Sequence, residues 1–187
     1  MICHVAICTP PYATLSYLTP EEFPGFAWNR GMRVAVPLGS GAIRAGVITA
    51  VFADDDRAAL RESCAGQHSM KKNGEISLRP LTWPLEPVPL LPEDYMDTVE
   101  QLAARQYSSP GRILGNLLPQ GLRTTARIRV RRYLPDLDGR GRKPKLFTLR
   151  DIPSLTPGER AELARDFMAG RAELLMLAED AAAGEIC

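Results

Sequence analysis

Proline is the feature that most restricts how this chain can fold. The 187 residues include 16 prolines and 15 glycines, whereas aromatic residues make up 6% of the total. Proline lacks a backbone N–H donor and both residues favour turns, so this density predicts many short elements and disfavours a few long helices. A chain of this length buries about 70% of its unfolded surface, which is enough for a hydrophobic core in one or two domains.

The first part of the chain has the alternation that is typical of strands. Apolar runs at 4–8 and 15–18 are each followed by a Thr-Pro sequence. Residues 31–37 alternate with a period of two, and a glycine-containing turn leads into a run at 43–52 that is rich in β-branched residues. This pattern predicts two strands followed by a β-hairpin. Residues 57–75 lack periodicity and are predicted to form a mobile surface loop.

The middle of the chain changes from a strand period to a helical one. Residues 76–81 are predicted as one more strand, and the proline-rich stretch at 83–92 as an extended connector. Apolar residues then recur at spacings of three and four up to Gln106, which predicts a helix, and a second helix is predicted at 112–118.

The last third of the chain begins with a basic strand. Residues 127–134 alternate arginine with apolar side chains, and a basic turn leads to a return strand at 145–149, so a hairpin is predicted. The sequence Thr156-Pro157-Gly158-Glu159 is a capping box that opens an amphipathic helix ending near Met168. Residues 171–183 are rich in Ala, Leu and Glu and are predicted to form another helix.

Charge is distributed unevenly, although the whole chain has a formal charge of only +1. Residues 111–150 contain eleven basic and two acidic side chains, whereas residues 151–187 contain three basic and eight acidic ones. A basic segment of this kind is typical of nucleic-acid binding, although a solvated arginine-rich surface is an alternative. The candidate side chains for contact with a DNA backbone are Arg127, Arg129, Arg131, Arg140, Arg142 and Lys143.

Several other classes of function are disfavoured by missing motifs. The chain has no phosphate-binding P-loop sequence, and its four cysteines stand apart from one another and from any pair of histidines. ATP hydrolysis, a zinc site and a disulfide framework are therefore not expected, and no catalytic residues are assigned. A Cys64 and His68 pair in the loop is a weak candidate for a nucleophile. Without a long apolar run or a signal sequence, the protein is expected to be cytoplasmic.

Binding is then the better class of function. Alternating strands with glycine bends are compatible with a small, partly open barrel, a fold that often presents a groove to single-stranded nucleic acid.

Several sequence blocks resemble one known family. They are Val5-Ala6-Ile7, Thr14-Leu15-Ser16-Tyr17-Leu18-Thr19-Pro20, Gly31-Met32-Arg33-Val34-Ala35-Val36-Pro37-Leu38-Gly39, Ala45-Gly46-Val47-Ile48, and Ala103-Ala104-Arg105-Gln106-Tyr107-Ser108-Ser109-Pro110 with Leu117-Leu118-Pro119. Together they resemble the N-terminal region of the bacterial primosomal protein N′ family of replication-restart DNA helicases. The resemblance covers about the first 120 residues well and the rest loosely.

The resemblance implies a fold and a function. It implies a β-rich N-terminal domain at 1–122, a small, partly open barrel with one or two helices, that captures the 3′ end of the leading strand at a stalled fork. It implies that 123–187 form a basic hairpin plus helices, an incomplete winged-helix-like α/β segment. The helicase lobes of the family, with their sites for ATP and zinc, are missing from this sequence, so no cofactor is expected here.

The resemblance also implies which residues contact the DNA end. The family pocket uses an aromatic residue and an aspartate before a tyrosine, a glycine after a strand and a lysine after the loop. The matching positions here are Leu15, Ser16, Tyr17, Gly39 and Arg79. Arg79 keeps the cation, whereas Leu15 and Ser16 replace the aromatic ring and the carboxylate. A purely structural role of Leu15 and Tyr17 in a barrel strand is the alternative.

Partners follow from the same resemblance. Forked and single-stranded DNA are expected, together with single-stranded DNA-binding protein and other primosome proteins. The helix that resembles part of the family's docking surface retains Tyr107 but has Leu102 and Gln106 in place of a Trp and a Tyr, so we expect a weaker contact with single-stranded DNA-binding protein, or one built elsewhere. The alternative function is a protein-interaction adaptor with a basic surface.

Overall fold

The computed structural model describes residues 1–39, 41–53, 71–72, 75–76, 78–133 and 144–176, which belong to two compact units. Unit 1 comprises Met1–Pro20 and Ala27–Arg123, and unit 2 comprises Glu21–Phe26 and Thr124–Cys187. The domain boundary between residues 122 and 123 that was inferred from the sequence stays a prediction. In the described part of the chain, no helix is long and apolar enough to cross a membrane.

Unit 1 is built on a five-stranded antiparallel sheet. Its strands run in the order β2-β1-β4-β3-β7. They are β1 (Ile2–Ile7), β2 (Thr14–Leu18), β3 (Arg33–Pro37), β4 (Ile43–Phe52) and β7 (Trp83–Pro84). The hairpin formed by β3 and β4 confirms the prediction from the period-two pattern. Two short strands, β5 (Lys71–Lys72) and β6 (Glu75–Ile76), pair separately.

The five-stranded sheet is open rather than a closed barrel. The stretch of chain that leads into the edge strand β7 also forms backbone hydrogen bonds with β2, the opposite edge of the sheet. The N–H of Leu18 in β2 donates to Arg79 O (2.9 Å), and the N–H of Leu81 donates to Leu18 O (2.9 Å). The next N–H, that of Thr82, donates to Ala35 O in β3 (2.8 Å). The predicted β-rich fold class is therefore confirmed. The stretch 83–92, which was predicted as an extended connector, supplies the strand β7.

Helices cover one face of this sheet. They are α1 (Glu93–Arg105), α2 (Pro110–Leu117) and the short α3 (Gln120–Arg123). The first helix was predicted at this place, and the second begins at Pro110 rather than at Arg112 because the Ser109 hydroxyl accepts a hydrogen bond from the Arg112 N–H (3.2 Å). Apolar side chains of α1 and α2 form one buried core with Ala6, Cys8 and Val47 of the sheet side.

A buried ion pair lies under the helical layer. Arg33 of β3 has only 6% of its side chain exposed, and its Nε donates to Glu86 Oε1 (2.8 Å). A second guanidinium nitrogen, Nη1, donates to the carbonyl oxygen of Leu122 (2.8 Å). A buried charge needs such partners because it has lost its hydration. Arg33 therefore connects the sheet with the connector and with α3.

Gly31 is required where the chain approaches β3. Its φ is +84°, which side-chain-bearing residues rarely adopt, and a Cβ at this position would overlap the carbonyl oxygen of Leu91. The Leu91 N–H donates in turn to Gly31 O (3.2 Å). The close approach of these two backbones holds the entry to α1 against the sheet.

Unit 2 is an α/β unit with a three-stranded antiparallel sheet in the order β10-β8-β9. Its elements are β8 (Ile128–Arg132), β9 (Lys145–Thr148), α4 (Pro157–Met168) and β10 (Ala172–Met176), with a 3₁₀ turn at Ile152–Ser154. The hairpin of β8 and β9 and the capping box of α4 were both predicted. The Glu159 N–H donates to Thr156 Oγ1 (3.3 Å), and the Thr156 N–H donates to Glu159 Oε2 (3.0 Å).

The final helix of the sequence analysis is corrected. Residues 172–176 form the strand β10, which pairs along its whole length with β8. Ala, Leu and Glu are good helix formers, but their preference amounts to only about a few tenths of a kcal/mol per residue, and the ladder with β8 outweighs it. Gly170, with φ +70°, turns the chain out of α4 and into the strand. Of the loop predicted at 57–75, residues 71–72 and 75–76 form the paired strands β5 and β6, and its other residues lie outside the described part of the chain. The basic turn at 139–143 and residues 177–183 of the predicted final helix also lie outside it.

Candidate nucleic-acid interface

The sheet of unit 1 has one face away from its helices. Ala6 and Val47 pair with each other and lie in the core beneath α1 and α2. Leu15 of β2 pairs with Val5, the neighbour of Ala6 on β1. Tyr17 lies two residues after Leu15 on β2. Because side chains alternate along a strand, Leu15 and Tyr17 share the face opposite to the helices. We call this the helix-free face.

Ser16 lies between these two residues and on the other side of β2. It pairs with His4 of β1, whose ring contacts Phe52 with centroids 4.7 Å apart. Burial lowers the pKa of His4. The three consecutive residues of the predicted pocket thus belong to two faces, although all three lie on β2, an edge strand of the sheet.

Tyr17 connects the remaining predicted residues. Its side chain is buried, and its hydroxyl donates to the carbonyl oxygen of Pro37 at the end of β3 (3.2 Å). Burial raises the pKa of Tyr17 to about 12, and the positive charge of Arg79 partly opposes that rise. Tyr17 therefore lies beside the turn that follows Pro37.

Gly39 lies in that turn with its backbone exposed. The turn is held by the Leu38 N–H, which donates to Ala42 O (2.8 Å), and by the Gly41 N–H, which donates to Leu38 O (2.8 Å). A Cβ at Gly39 would meet no atom within 4 Å. The fold itself therefore leaves open space there, into which a bound molecule could approach the backbone.

Arg79 is exposed, and its carbonyl oxygen is fixed to β2 by the N–H of Leu18 (2.9 Å). The same backbone bond places the residue beside Tyr17. The structure thus brings Tyr17, Gly39 and Arg79 to one region of unit 1, with the cation and the glycine both at the surface.

One further cation, which the sequence did not predict as a site residue, lies in this region. Arg44 lies on β4 opposite Val36, two positions from the end of the hairpin that carries Gly39. Register places it on the helix-free face with Leu15 and Tyr17, and its side chain is exposed. The signal in the sequence is a single arginine inside an otherwise uncharged strand, Ile43–Phe52.

The predicted basic residues of β8 already have protein partners. Arg127 and Arg129 are half-buried, and Arg129 Nη1 donates to the carbonyl oxygens of Ala126 (2.8 Å) and Ile128 (3.0 Å). Arg131 forms an ion pair with Glu173 of β10. Arg140, Arg142 and Lys143 lie outside the described residues.

The next arginine, Arg132, belongs to the opposite face of the unit 2 sheet. Its Nε donates to Asp166 Oδ2 (2.5 Å) and its Nη1 to Glu162 Oε2 (3.2 Å), both on α4. These two carboxylates and Glu173 all come from the acidic segment 151–187. Folding therefore neutralises part of the charge asymmetry that the sequence displays.

Comparison with known proteins assigns a family to most of unit 1. Residues 4–119 match a family model described as the PriA 3′ DNA-binding domain (3′BD). The match includes most of β1, all of β2 to β4, both principal helices, and the region around Tyr17, Gly39 and Arg79. No curated protein matches the chain.

Proposed function

The chain belongs to the family of primosomal protein N′, whose 3′ DNA-binding domain it contains, and from this premise we propose that it binds the 3′ end of the leading strand and fork DNA at stalled replication forks. A domain of this kind binds DNA without breaking a bond, so the chain acts as a non-catalytic module that needs no cofactor of its own. Helicase activity belongs in this proposal to the full-length protein.

The region around Tyr17 is the proposed site for the terminal nucleotide. The observation that carries the proposal is a pair of hydrogen bonds: Leu18, the neighbour of Tyr17, binds Arg79 through its backbone N–H, and the Tyr17 hydroxyl binds Pro37, two residues before Gly39. The exposed backbone at Gly39 admits close approach of a sugar, and Arg79 attracts a phosphate. Tyr17 itself is buried, so its role is to position these groups rather than to stack on a base.

The neighbouring residues of β2 and β4 have separate roles in this proposal. Leu15 is half-buried on the helix-free face and offers apolar contact to the terminal base. Arg44, exposed on the same face, supplies a second cation. Ser16, on the other side of the edge strand, is proposed to hydrogen bond the 3′ hydroxyl, and Ser16→Ala tests that contact separately from the rest.

Basic side chains of unit 2 are proposed to bind the backbone of the fork. Phosphate contacts carry little sequence information, which suits a protein that must act at forks of any sequence. Each neutralised phosphate on a single strand changes the logarithmic salt slope of affinity by about −0.7. The proposed contacts are Arg127, Arg129, Arg131, Arg140, Arg142 and Lys143, and a winged-helix-like role of this segment belongs to the same proposal.

Protein partners are proposed at the end of α1. Tyr107 follows this helix with φ 48° and is 99% exposed, so its ring is free to contact a partner such as single-stranded DNA-binding protein. Leu102, by contrast, is half-buried against the core of unit 1. We therefore propose a weak contact centred on Tyr107.

Fluorescence anisotropy with two synthetic forks tests the proposal. One fork has a leading-strand 3′ hydroxyl, and the other ends in a 3′ phosphate but is otherwise identical. Loss of one hydrogen bond to the terminus is worth about 1.4 kcal/mol, so we expect about tenfold weaker binding of the blocked fork. Equal affinities would refute terminus capture, and absence of binding at low salt would favour the adaptor alternative.

A further inference from the structure

The three-stranded sheet of unit 2 has one face that α4 does not cover. Val130 pairs with Phe147 and both are buried, on the same face as Arg132, which binds the α4 carboxylates. Residues on the opposite face are half-buried or exposed. We call it the open face, and its described members are Arg129, Arg131, Tyr133, Leu146, Thr148, Glu173 and Leu175.

Three polar side chains form a cluster on the open face. Arg131 lies over the ring of Tyr133, with its guanidinium carbon 4.9 Å from the ring centroid. The Tyr133 hydroxyl donates to Glu173 Oε1 (2.8 Å), and Arg131 Nη2 binds the same oxygen. The hydrogen bonds from Tyr133 and Arg131 lower the pKa of Glu173. The carboxylate is therefore ionised in neutral solution, and it occupies the anion-binding side of Arg131.

The cluster has the composition of a single-stranded nucleic-acid subsite. Such sites combine a cation for the phosphate with an aromatic ring on which a base stacks. Tyr133 is 44% exposed, and Arg131 and Arg129 give the face an excess of positive charge over Glu173. Duplex DNA keeps its bases stacked inside, so it can offer this face a phosphate but no free base.

We propose that Arg131 and Tyr133 form a subsite for one nucleotide of single-stranded DNA, in which Glu173 is an internal competitor that the phosphate displaces. The carboxylate holds the arginine over the ring in the free protein and weakens binding, because its contact must break first. This proposal rests on the proposed function for the identity of the polymer. It places the subsite in unit 2, outside the residues 4–119 that match the family model.

Anisotropy measurements on the full chain test this subsite. The probe is fluorescein-labelled oligothymidylate that ends in a 3′ phosphate, so that the proposed terminus site of unit 1 contributes little. An exposed ion pair of this kind opposes displacement weakly, and we expect Glu173→Gln to tighten binding about two- to fivefold. Arg131→Ala should weaken binding, and the double variant should bind like Arg131→Ala, since Glu173 acts through this arginine.

Glu162→Gln is the matched control. It removes the same charge from the same unit, but Glu162 binds Arg132 on the covered face. We expect no change in affinity for this variant. Tyr133→Leu should weaken binding of oligothymidylate more than binding of a duplex of equal length, whereas Tyr133→Phe, which keeps the ring, should retain the preference for single strands.

Two results with the glutamate variants would overturn the subsite. One is an unchanged affinity for Glu173→Gln, in a variant whose circular dichroism matches that of the parent. The other is an equal gain for Glu162→Gln, which would indicate a general effect of charge. Stronger competition by an acidic peptide than by oligothymidylate would assign the face to a protein instead. If the chain prefers a 3′ hydroxyl but Glu173→Gln has no effect, the subsite is refuted and the proposed function stands. If Glu173→Gln tightens binding but the chain does not prefer a 3′ hydroxyl, capture of the terminus is refuted and the subsite stands.

Discussion

Asp166 connects α4 with the sheet of unit 2. It is buried at the end of α4, where its Oδ2 accepts from Arg132 Nε of β8 (2.5 Å) and its Oδ1 from Arg171 Nε (2.9 Å), next to β10. One carboxylate therefore joins the helix to β8 and to the residue that precedes β10. Asn has the same shape, but it lacks the charge and presents an N–H₂ group to one of the two guanidinium groups.

We expect Asp166→Asn to destabilise unit 2 by about 2 to 3 kcal/mol. The hydrogen bond from Arg132, whose side chain is 19% exposed, contributes about 2 kcal/mol, as is typical for a charge-assisted bond away from water. Arg171 is 56% exposed, so its contribution is screened and stays below about 1 kcal/mol. Glu162→Gln, which removes an exposed partner of Arg132, should cost less than about 0.5 kcal/mol.

Hydrogen exchange measured by mass spectrometry on peptides from 157–176 reports this loss locally. Both tryptophans, Trp28 and Trp83, belong to unit 1, so their fluorescence during urea unfolding serves as an internal control. Exchange in unit 2 should accelerate by about 30- to 150-fold, while unfolding of unit 1 stays unchanged. Equal exchange rates in Asp166→Asn and the parent would refute the role of Asp166.

The same residue predicts a pH dependence. Burial alone would raise the pKa of Asp166, but hydrogen bonds from Arg132 and Arg171 outweigh burial and lower it. The stabilisation is therefore fully present above the ordinary aspartate value, about 3.9, and is lost as the pH falls through the lower pKa of the folded state. The difference in stability between the parent and Asp166→Asn should shrink below pH 4 and stay constant between pH 5 and 7.

Three other predictions concern unit 1. Gly31→Ala should destabilise it by more than about 2 kcal/mol, measured by urea unfolding, because a Cβ at φ +84° would overlap the Leu91 carbonyl group; an unfolding midpoint equal to that of the parent would contradict this. Glu86→Gln should cost about 3 kcal/mol by the same assay, since it leaves the buried Arg33 without its charged partner. Arg44→Gln should weaken fork binding and flatten its salt slope by about 0.7 without changing stability, and an unchanged slope would exclude Arg44 from the interface.

The regular elements of this fold could be predicted where the signal is local. The period of two at 31–37 and the apolar run at 43–52 are found in β3 and β4, and the capping box of Thr156 opens α4 as expected. These features depend on neighbouring residues, and alternation and capping act over two to four positions. The proline-rich connector was harder to predict because β7 exists only through its pairing with β3.

The strand β10 could not be predicted in this way. Its residues, Ala-Glu-Leu-Leu-Met, favour helix when they are considered by themselves. They become a strand because β8, some forty residues earlier in the chain, offers an edge to which they pair. The preference for helix is about a few tenths of a kcal/mol per residue. The hydrogen bonds to β8 and the burial of Ala172 stabilise the strand by more than this.

The candidate sites were predictable to different extents. The resemblance selected Tyr17, Gly39 and Arg79, which the structure brings together, although the contact of Tyr17 with Pro37 joins residues twenty positions apart. The number of charges in each segment could not show that Glu173 forms an ion pair with Arg131. The two residues lie on different strands and meet only when β10 pairs with β8. Arg44 was missed because a single arginine has no pattern around it, and only the register of β3 and β4 assigns its face.

Photo-crosslinking of the DNA terminus tests the central claim most directly. A fork with a thio-thymidine at the leading-strand 3′ end is irradiated in complex with the chain, and the crosslinked peptides are identified by mass spectrometry. We expect crosslinks in peptides of unit 1 that contain Leu15, Gly39 or Arg79, and we expect their loss when the same base is moved about ten nucleotides from the end. Crosslinks confined to unit 2, or equal yields for both positions of the base, would contradict the claim.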